Sequence, residues 1–201
     1  IKFRFFETIQ MKVAYKHLIK CIDSKPSIED ISDKLFQLGH EHEINNEIFE
    51  MEFTPNRGDC LSVNGLLREL AVFYDVCLYD ERYEGKIENF DLDFSNKACK
   101  DCPTISFLKI DLENYEIQPY KDELNDYFND LDANKNNFFT DVSNYVSYET
   151  GQPTHCYDAS KVEGNLSLNY VNGSYNFETL LGKKLDLKGK NLVFSCEEQI
   201  I

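Results

Sequence analysis

No apolar run in this 201-residue sequence approaches the length of a membrane-crossing helix. The opening stretch, Ile1 to Gln10, carries Lys2 and Arg4 but lacks the apolar core and small-residue cleavage site of a secretory leader. Positive charge is also scarce. Lys and Arg number 21 against 36 carboxylates, a formal charge of −15. Phosphate backbones are held through Lys and Arg with release of counterions, so this balance disfavours a general binder of DNA or RNA. A local basic patch, or a partner that supplies the charge, stays open. Regular cysteine spacing is missing. The seven cysteines are an odd number and point to a reducing cytosol rather than a disulfide framework. Cys99-Lys100-Asp101-Cys102 has no second pair at zinc-ribbon distance. It reads as a loop punctuated by Cys102-Pro103, and no metal site is expected. Asn172-Gly173 and Leu181-Gly182 lack the spacing of a phosphate loop, and no internal repeat stands out.

Against these absences, 42% of residues are hydrophobic and 13% aromatic, enough for a real core. Tyr15, Leu18, Ile19 and Ile22 fall at helical spacing within 11–23. Pro26-Ser27 opens a second helix, with Ser27 as cap, Asp30 reaching back to it, and a stripe of Ile28, Ile31, Leu35 and Leu38 closed by Gly39. Phe49, Met51 and Phe53 alternate with Glu50 and Glu52, the pattern of a half-buried strand. After the turn at 54–59, Asp59 or Ser62 caps a helix with Val63, Leu66, Leu67, Leu70 and Tyr74 on its apolar face. Residues 80–101 are polar and weakly periodic, which places a domain boundary near Tyr83. Beyond it the pattern predicts a strand over 105–112, a helix with Leu124, Tyr127, Phe128 and Leu131, and a helix with Val142, Tyr145, Val146 and Glu149 closed by Gly151. A strand over 166–171, a tight turn at Asn172-Gly173, and short strands at 177–180, 184–187 and 192–194 follow. The expected class is α+β. The expected organisation is an upstream extension 1–10, an α/β module 11–83 and a mixed domain 84–201.

Two segments carry more than local structure. The first is Phe53 to Ala71, with Thr54-Pro55-Asn56-Arg57, then Asp59-Cys60-Leu61-Ser62 and Arg68-Glu69-Leu70-Ala71. The second is Asp141 to Asp158, with Asn144-Tyr145-Val146, Glu149, Gly151-Gln152-Pro153 and His155. In this order, and preceded by Leu38-Gly39-His40-Glu41-His42-Glu43, they resemble the β subunit of bacterial phenylalanyl-tRNA synthetase from Met11 to the end. Met11-Lys12-Val13 resembles the start of such chains. The resemblance implies a role in protein biosynthesis as part of phenylalanine–tRNA ligase. It makes 84–201 an editing-type domain, incomplete at its C-terminus, of the kind that hydrolyses tyrosine wrongly attached to the tRNA. It implies an α subunit and the remaining β-subunit modules as partners, tRNA bound through the whole complex, a cytoplasmic location, and no membrane or DNA partner. ATP and magnesium are implied for the whole enzyme, none for this chain.

The sequence departs from that pattern in three places. Only Ile44 to Phe53 stands where many members carry an inserted tRNA-binding barrel. Asn134 and Lys135 stand where an arginine and a proline are usual. The Gly-rich and Glu-bearing segments that complete the editing pocket lie beyond Ile201 in such chains. Editing is therefore expected to be impaired or absent, and synthesis is not expected of this chain alone. The alternative is a free-standing, non-catalytic tRNA- or protein-binding module derived from that subunit.

Individual residues carry two readings each. The resemblance places His155 in the editing pocket, where imidazole could orient a water or touch the terminal ribose; otherwise it is a turn histidine bonded to backbone. Asn137, Asn144 and Asn134 are further pocket candidates, with Asp141 three residues before Asn144. Asp and Asn near a helix start more often cap it or bond neighbouring backbone. Arg57 is a candidate contact for tRNA or a neighbouring module, or it ties its own turn to Asp59 or a carbonyl. Cys156, adjacent to His155, is poorly placed to act as a nucleophile with it.

Overall fold

The α+β class is realised in two separately packed units of the computed structural model, which describes residues 9–78, 84–112, 116, 118–162, 164–179, 182–197 and 199–201. The first unit takes Ile1–Tyr83 together with Glu116–Cys156; the second takes Glu84–Tyr115 and Tyr157–Ile201. The chain thus leaves the first unit and returns to it. The expected boundary at Tyr83, and most of the expected extension 1–10, lie outside the described residues.

In the first unit, β1 (Ile9–Ala14) runs into α1 (Tyr15–Ile19), followed by α2 (Ile28–Gln37), β2 (Glu41–Asn45), β3 (Ile48–Phe53) and α3 (Val63–Leu70). The return segment adds α4 (Asp122–Asp130) and α5 (Phe138–Thr150). β3 is the central strand of an antiparallel sheet ordered β1-β3-β2. Its alternation is as expected, with Phe49, Met51 and Phe53 buried beneath α1, α2 and α3. The helix expected over 11–23 is corrected: it begins only at Tyr15, because Met11 and Val13 alternate with Lys12 and pair with Met51, Phe49 and Glu50. β2, which has few apolar residues, had no signal of its own.

Ser27 forms the full capping box with Asp30. Ser62, rather than Asp59, caps α3, accepting the Gly65 N–H at 2.9 Å. Gly39 and Gly151 end their helices at positive φ, 85° and 76°, where a Cβ is costly.

The second unit is a four-stranded sheet ordered β4-β5-β6-β7: β4 (Phe94–Asn96), β5 (Leu166–Glu178), β6 (Lys184–Cys196) and β7 (Gln199–Ile200). Two expectations are corrected here. Asn172-Gly173 is no turn. It lies inside one long hairpin, paired with Lys190 and Gly189. Thr179 and Lys183 instead stand at the closed end of the hairpin, the Thr179 N–H donating to the Lys183 carbonyl at 2.9 Å and the Gly182 N–H to the Thr179 carbonyl at 2.8 Å. The facing glycines Gly173 and Gly189 break the side-chain pattern without breaking the ladder, which is why four short strands were read where two long ones run. Leu180, expected in one of them, lies outside the described residues. Residues 105–112 form no strand, although Phe107 packs edge-on against Phe94 of β4 at 4.8 Å between ring centroids.

Candidate functional site

The pocket candidates Asn134, Asn137, Asn144 and His155 all belong to the first unit, on α5 or its flanking loops. Asn137 is the N-cap. Its Oδ1 accepts the Thr140 N–H at 3.1 Å and its Nδ2 donates to Thr140 Oγ1 at 2.9 Å, so it is occupied by the helix it starts. Asn144 and Asn134 are exposed. His155 is exposed too, on a loop held in a fixed course. Gly151 turns the chain, Ser147 Oγ donates to the Gln152 carbonyl at 3.0 Å, and Thr154 Oγ1 donates to the Ser143 carbonyl at 3.0 Å. Among the described residues the His155 imidazole has no hydrogen-bond partner.

Beneath this surface lies a residue of the other kind. Asp141 is fully buried. Its carboxylate accepts the Tyr120 hydroxyl at 2.6 Å and the Asn136 N–H at 3.0 Å. Burial, then the carboxylate, push the Tyr120 phenol up to about 12, so it stays a donor. Lys135 rests its ammonium 5.1 Å over the Tyr120 ring and 5.6 Å over that of Phe128. Asp141 thereby fixes the loop before α5, and its spacing from Asn144 does not put both on the surface.

Arg57 is bound within its own neighbourhood. It donates to Asp59 through Nε and Nη2, each at 3.1 Å, to Cys60 Sγ at 2.9 Å, and pairs with Glu69 at 2.9 Å. The guanidinium holds the Asp59 carboxyl down at about 2. His40 Nε2 reaches the same Glu69 oxygen at 3.5 Å. His40, Cys60 and Glu69 offer ligand atoms within 4.8 Å of one another, a metal-like grouping. Arg57 already supplies a fixed positive charge to both Cys60 and Glu69. Burial pushes the Cys60 thiol up to about 11. Cys99 and Cys102 give their thiols to the carbonyls of Asn96 and Thr104. Cys156 is exposed.

Sequence reasoning missed a half-buried polar chain. Tyr148 of α5 meets His17 Nδ1 of α1 at 2.9 Å, and His17 Nε2 faces Asp130 of α4 at 3.1 Å. That last contact is close enough for an ion pair but poorly aligned as a hydrogen bond; Lys16 Nζ, 2.8 Å from the same oxygen, completes it. Burial holds the His17 pKa below its ordinary value. A polar cleft of about 250 Å³ adjoins it, lined by Ala14, Lys16, Asn46, Glu47, Ile48, Asn129 and Asp130. None of the sequence-selected residues lines this cleft. Only long-range contact brings these groups together, so no local pattern could have marked them.

Residues 104–201 match the model of the B3/4 domain family. The chain is 31% identical over 165 residues to the phenylalanine–tRNA ligase beta subunit of Fusobacterium nucleatum, covering 79% of this chain and 20% of that one. It is 30% identical over 159 residues to the subunit of Psychrobacter arcticus, covering 77% and 20%. To the subunit of the Wolbachia of Brugia malayi it is 27% identical over 190 residues, covering 86% and 24%. Its relatives are phenylalanine–tRNA ligase β subunits. The resemblance read from Phe53–Ala71 and Asp141–Asp158 therefore extends across about four-fifths of the chain, which spans about a fifth of the length of these curated relatives. The B3/4 match draws residues from both units, since Glu116–Cys156 belong to the first.

Proposed function

We propose that this chain serves as part of the β subunit of phenylalanine–tRNA ligase, supporting the charging of tRNA with phenylalanine in the cytoplasm, alongside an α subunit and the rest of the β subunit. The similarity to β subunits over 165 residues carries this reading. In it, tRNA is engaged through the whole complex, consistent with a charge of −15 here. ATP and magnesium serve the whole enzyme. The sequence holds no Gly-rich phosphate loop, and no step involving them falls to this chain. Co-expression with the α subunit of the same organism tests the proposal. Recovery of a complex containing this chain supports it, and a chain that purifies alone under every condition overturns it.

Within this reading, editing of tyrosyl-tRNA is weak or absent. Hydrolysis of an aminoacyl ester needs a positioned water, oxyanion donors and contacts that hold the terminal adenosine. Among the candidates Asn137 is spent on its helix, while Asn134, Asn144 and His155 are exposed. Lys135 stands over two rings rather than free. Loss of one preorganised donor costs on the order of a hundredfold in rate. The assay is tyrosine release from mischarged tRNA by this chain and by His155→Ala. Fast release that depends on His155 overturns the editing-poor reading.

A further inference from the structure

Cys21 and Cys77 stand opposite one another where two connecting stretches of the first unit meet. Cys21 follows α1 and Cys77 follows α3. Ile22 and Val76 form an antiparallel bridge, flanked by backbone hydrogen bonds from the Asp23 N–H to the Asp75 carbonyl at 3.2 Å and from the Cys77 N–H to the Cys21 carbonyl at 2.9 Å. The register therefore sets Cys21 against Cys77. Opposed residues of an antiparallel pair share one side of it, with Cα atoms about 5.5 Å apart where hydrogen bonding joins them. Bridged cysteines have Cα atoms roughly 4.4–6.8 Å apart, so this register allows the two to be joined without backbone movement. The side chains also sense each other. Burial first, then the Glu149 carboxylate and a Cys77 thiolate, hold the Cys21 thiol above its ordinary value.

The two thiols differ in access. Cys21 is 8% exposed and packs in the core cluster, while Cys77 is exposed. We propose that Cys21 and Cys77 are a redox modification site, closed reversibly to a disulfide by a low-molecular-weight disulfide such as oxidised glutathione. The Cys77 thiolate attacks one sulfur of the oxidant and expels the other half as a thiol, leaving a mixed disulfide. Cys21 then gives up its proton and attacks the Cys77 sulfur, and the second half leaves as a thiol. The protein gains one S–S bond, the oxidant loses one, and the oxidant takes up both electrons and both protons. In a reducing compartment the pair rests as thiols, and the bridge answers a rise in the oxidant. It staples the stretch after α3, from which the chain passes on to the second unit, to the end of α1.

The test incubates the folded full chain in glutathione buffers of graded ratio, followed by alkylation, digestion without reductant and mass spectrometry. The expected product is the Cys21 peptide linked to the Cys77 peptide, lost again in excess reduced glutathione. Cys21→Ala keeps a small apolar side chain in the buried position and is expected to leave Cys77 as a persistent glutathione adduct. Cys77→Ser is expected to leave Cys21 unmodified at the same ratio. Because the bridge closes a long loop, the thermal midpoint of the oxidised chain should rise by several degrees and return on reduction. Cys99 and Cys102 are the internal comparison: they are near in sequence, yet their thiols donate to different carbonyls, of Asn96 and Thr104. Oxidation that joins Cys99 to Cys102 and leaves Cys21 and Cys77 as thiols overturns the proposal. So does a wild-type chain that stops at the Cys77 adduct, or a Cys21–Cys77 link that forms only in urea.

Discussion

Three of the four histidines, His17, His40 and His42, have pKa values lowered from the ordinary 6.5, in each case first by burial. His42 is anchored on both nitrogens, Nδ1 to the His40 carbonyl at 3.0 Å and Nε2 to Ser32 Oγ at 2.8 Å, and stacks on Phe36. The unfolded chain therefore binds more protons than the folded one just below 6.5. Stability is full above that pH and falls as pH drops toward the folded values. Thermal melts between about pH 8 and about pH 5 should show a falling midpoint, and His42→Gln should flatten the slope. Asp141 should be the costliest polar residue to lose. Asp141→Ala strands the Tyr120 hydroxyl and the Asn136 N–H and is expected to destabilise by about 3 kcal/mol. Asn144→Ala, at an exposed position, should change stability by less than about 0.5 kcal/mol. Urea unfolding of the two variants measures both.

At the scale of elements, α2 depends on its capping box, and Ser27→Ala should cost about 1 kcal/mol in the same assay. Gly65→Ala should cost more than an ordinary helix substitution gains, because the new Cβ would run into the Asp59 carbonyl. Elements with strong periodicity were legible beforehand: α2, α3, α5 and β3 carry apolar faces that the fold uses. β2 was not, since its one buried side chain is a histidine. β1 was hidden because its strand period merges into the helical period that starts at Tyr15. The long hairpin was misread because Asn172-Gly173 has turn chemistry, while pairing from Leu166–Cys196 to Glu178–Lys184 overrides it. Of the candidate site, the helix and its cap were readable, but the role of Asp141 was not: its partner Tyr120 stands 21 residues away.

For the whole molecule, charge decides what a surface can hold. With −15 spread over 201 residues, free tRNA should bind weakly at physiological salt, and a filter or anisotropy titration should give no sub-micromolar dissociation constant. The first unit adds a local exception to its acidity. Lys16 and Lys20 of the α1 segment face Asp126, Asp130 and Glu123 of α4 in ion pairs of 2.8–3.7 Å. These pairs are partly exposed, so added salt should loosen α4 before the sheet, visible as faster amide exchange in 122–130 than in 48–53.

The excursion of the chain out of the first unit and back has a consequence for its birth on the ribosome. Residues 9–78 can gather around β3 as soon as they emerge, but α5, which brings Tyr148 onto that cluster and Gly151 against Ser62, is still unmade. At roughly 5–20 residues per second, translation needs several seconds more to deliver it. For that interval the nascent chain carries the bare flank of α3 against which α5 later packs.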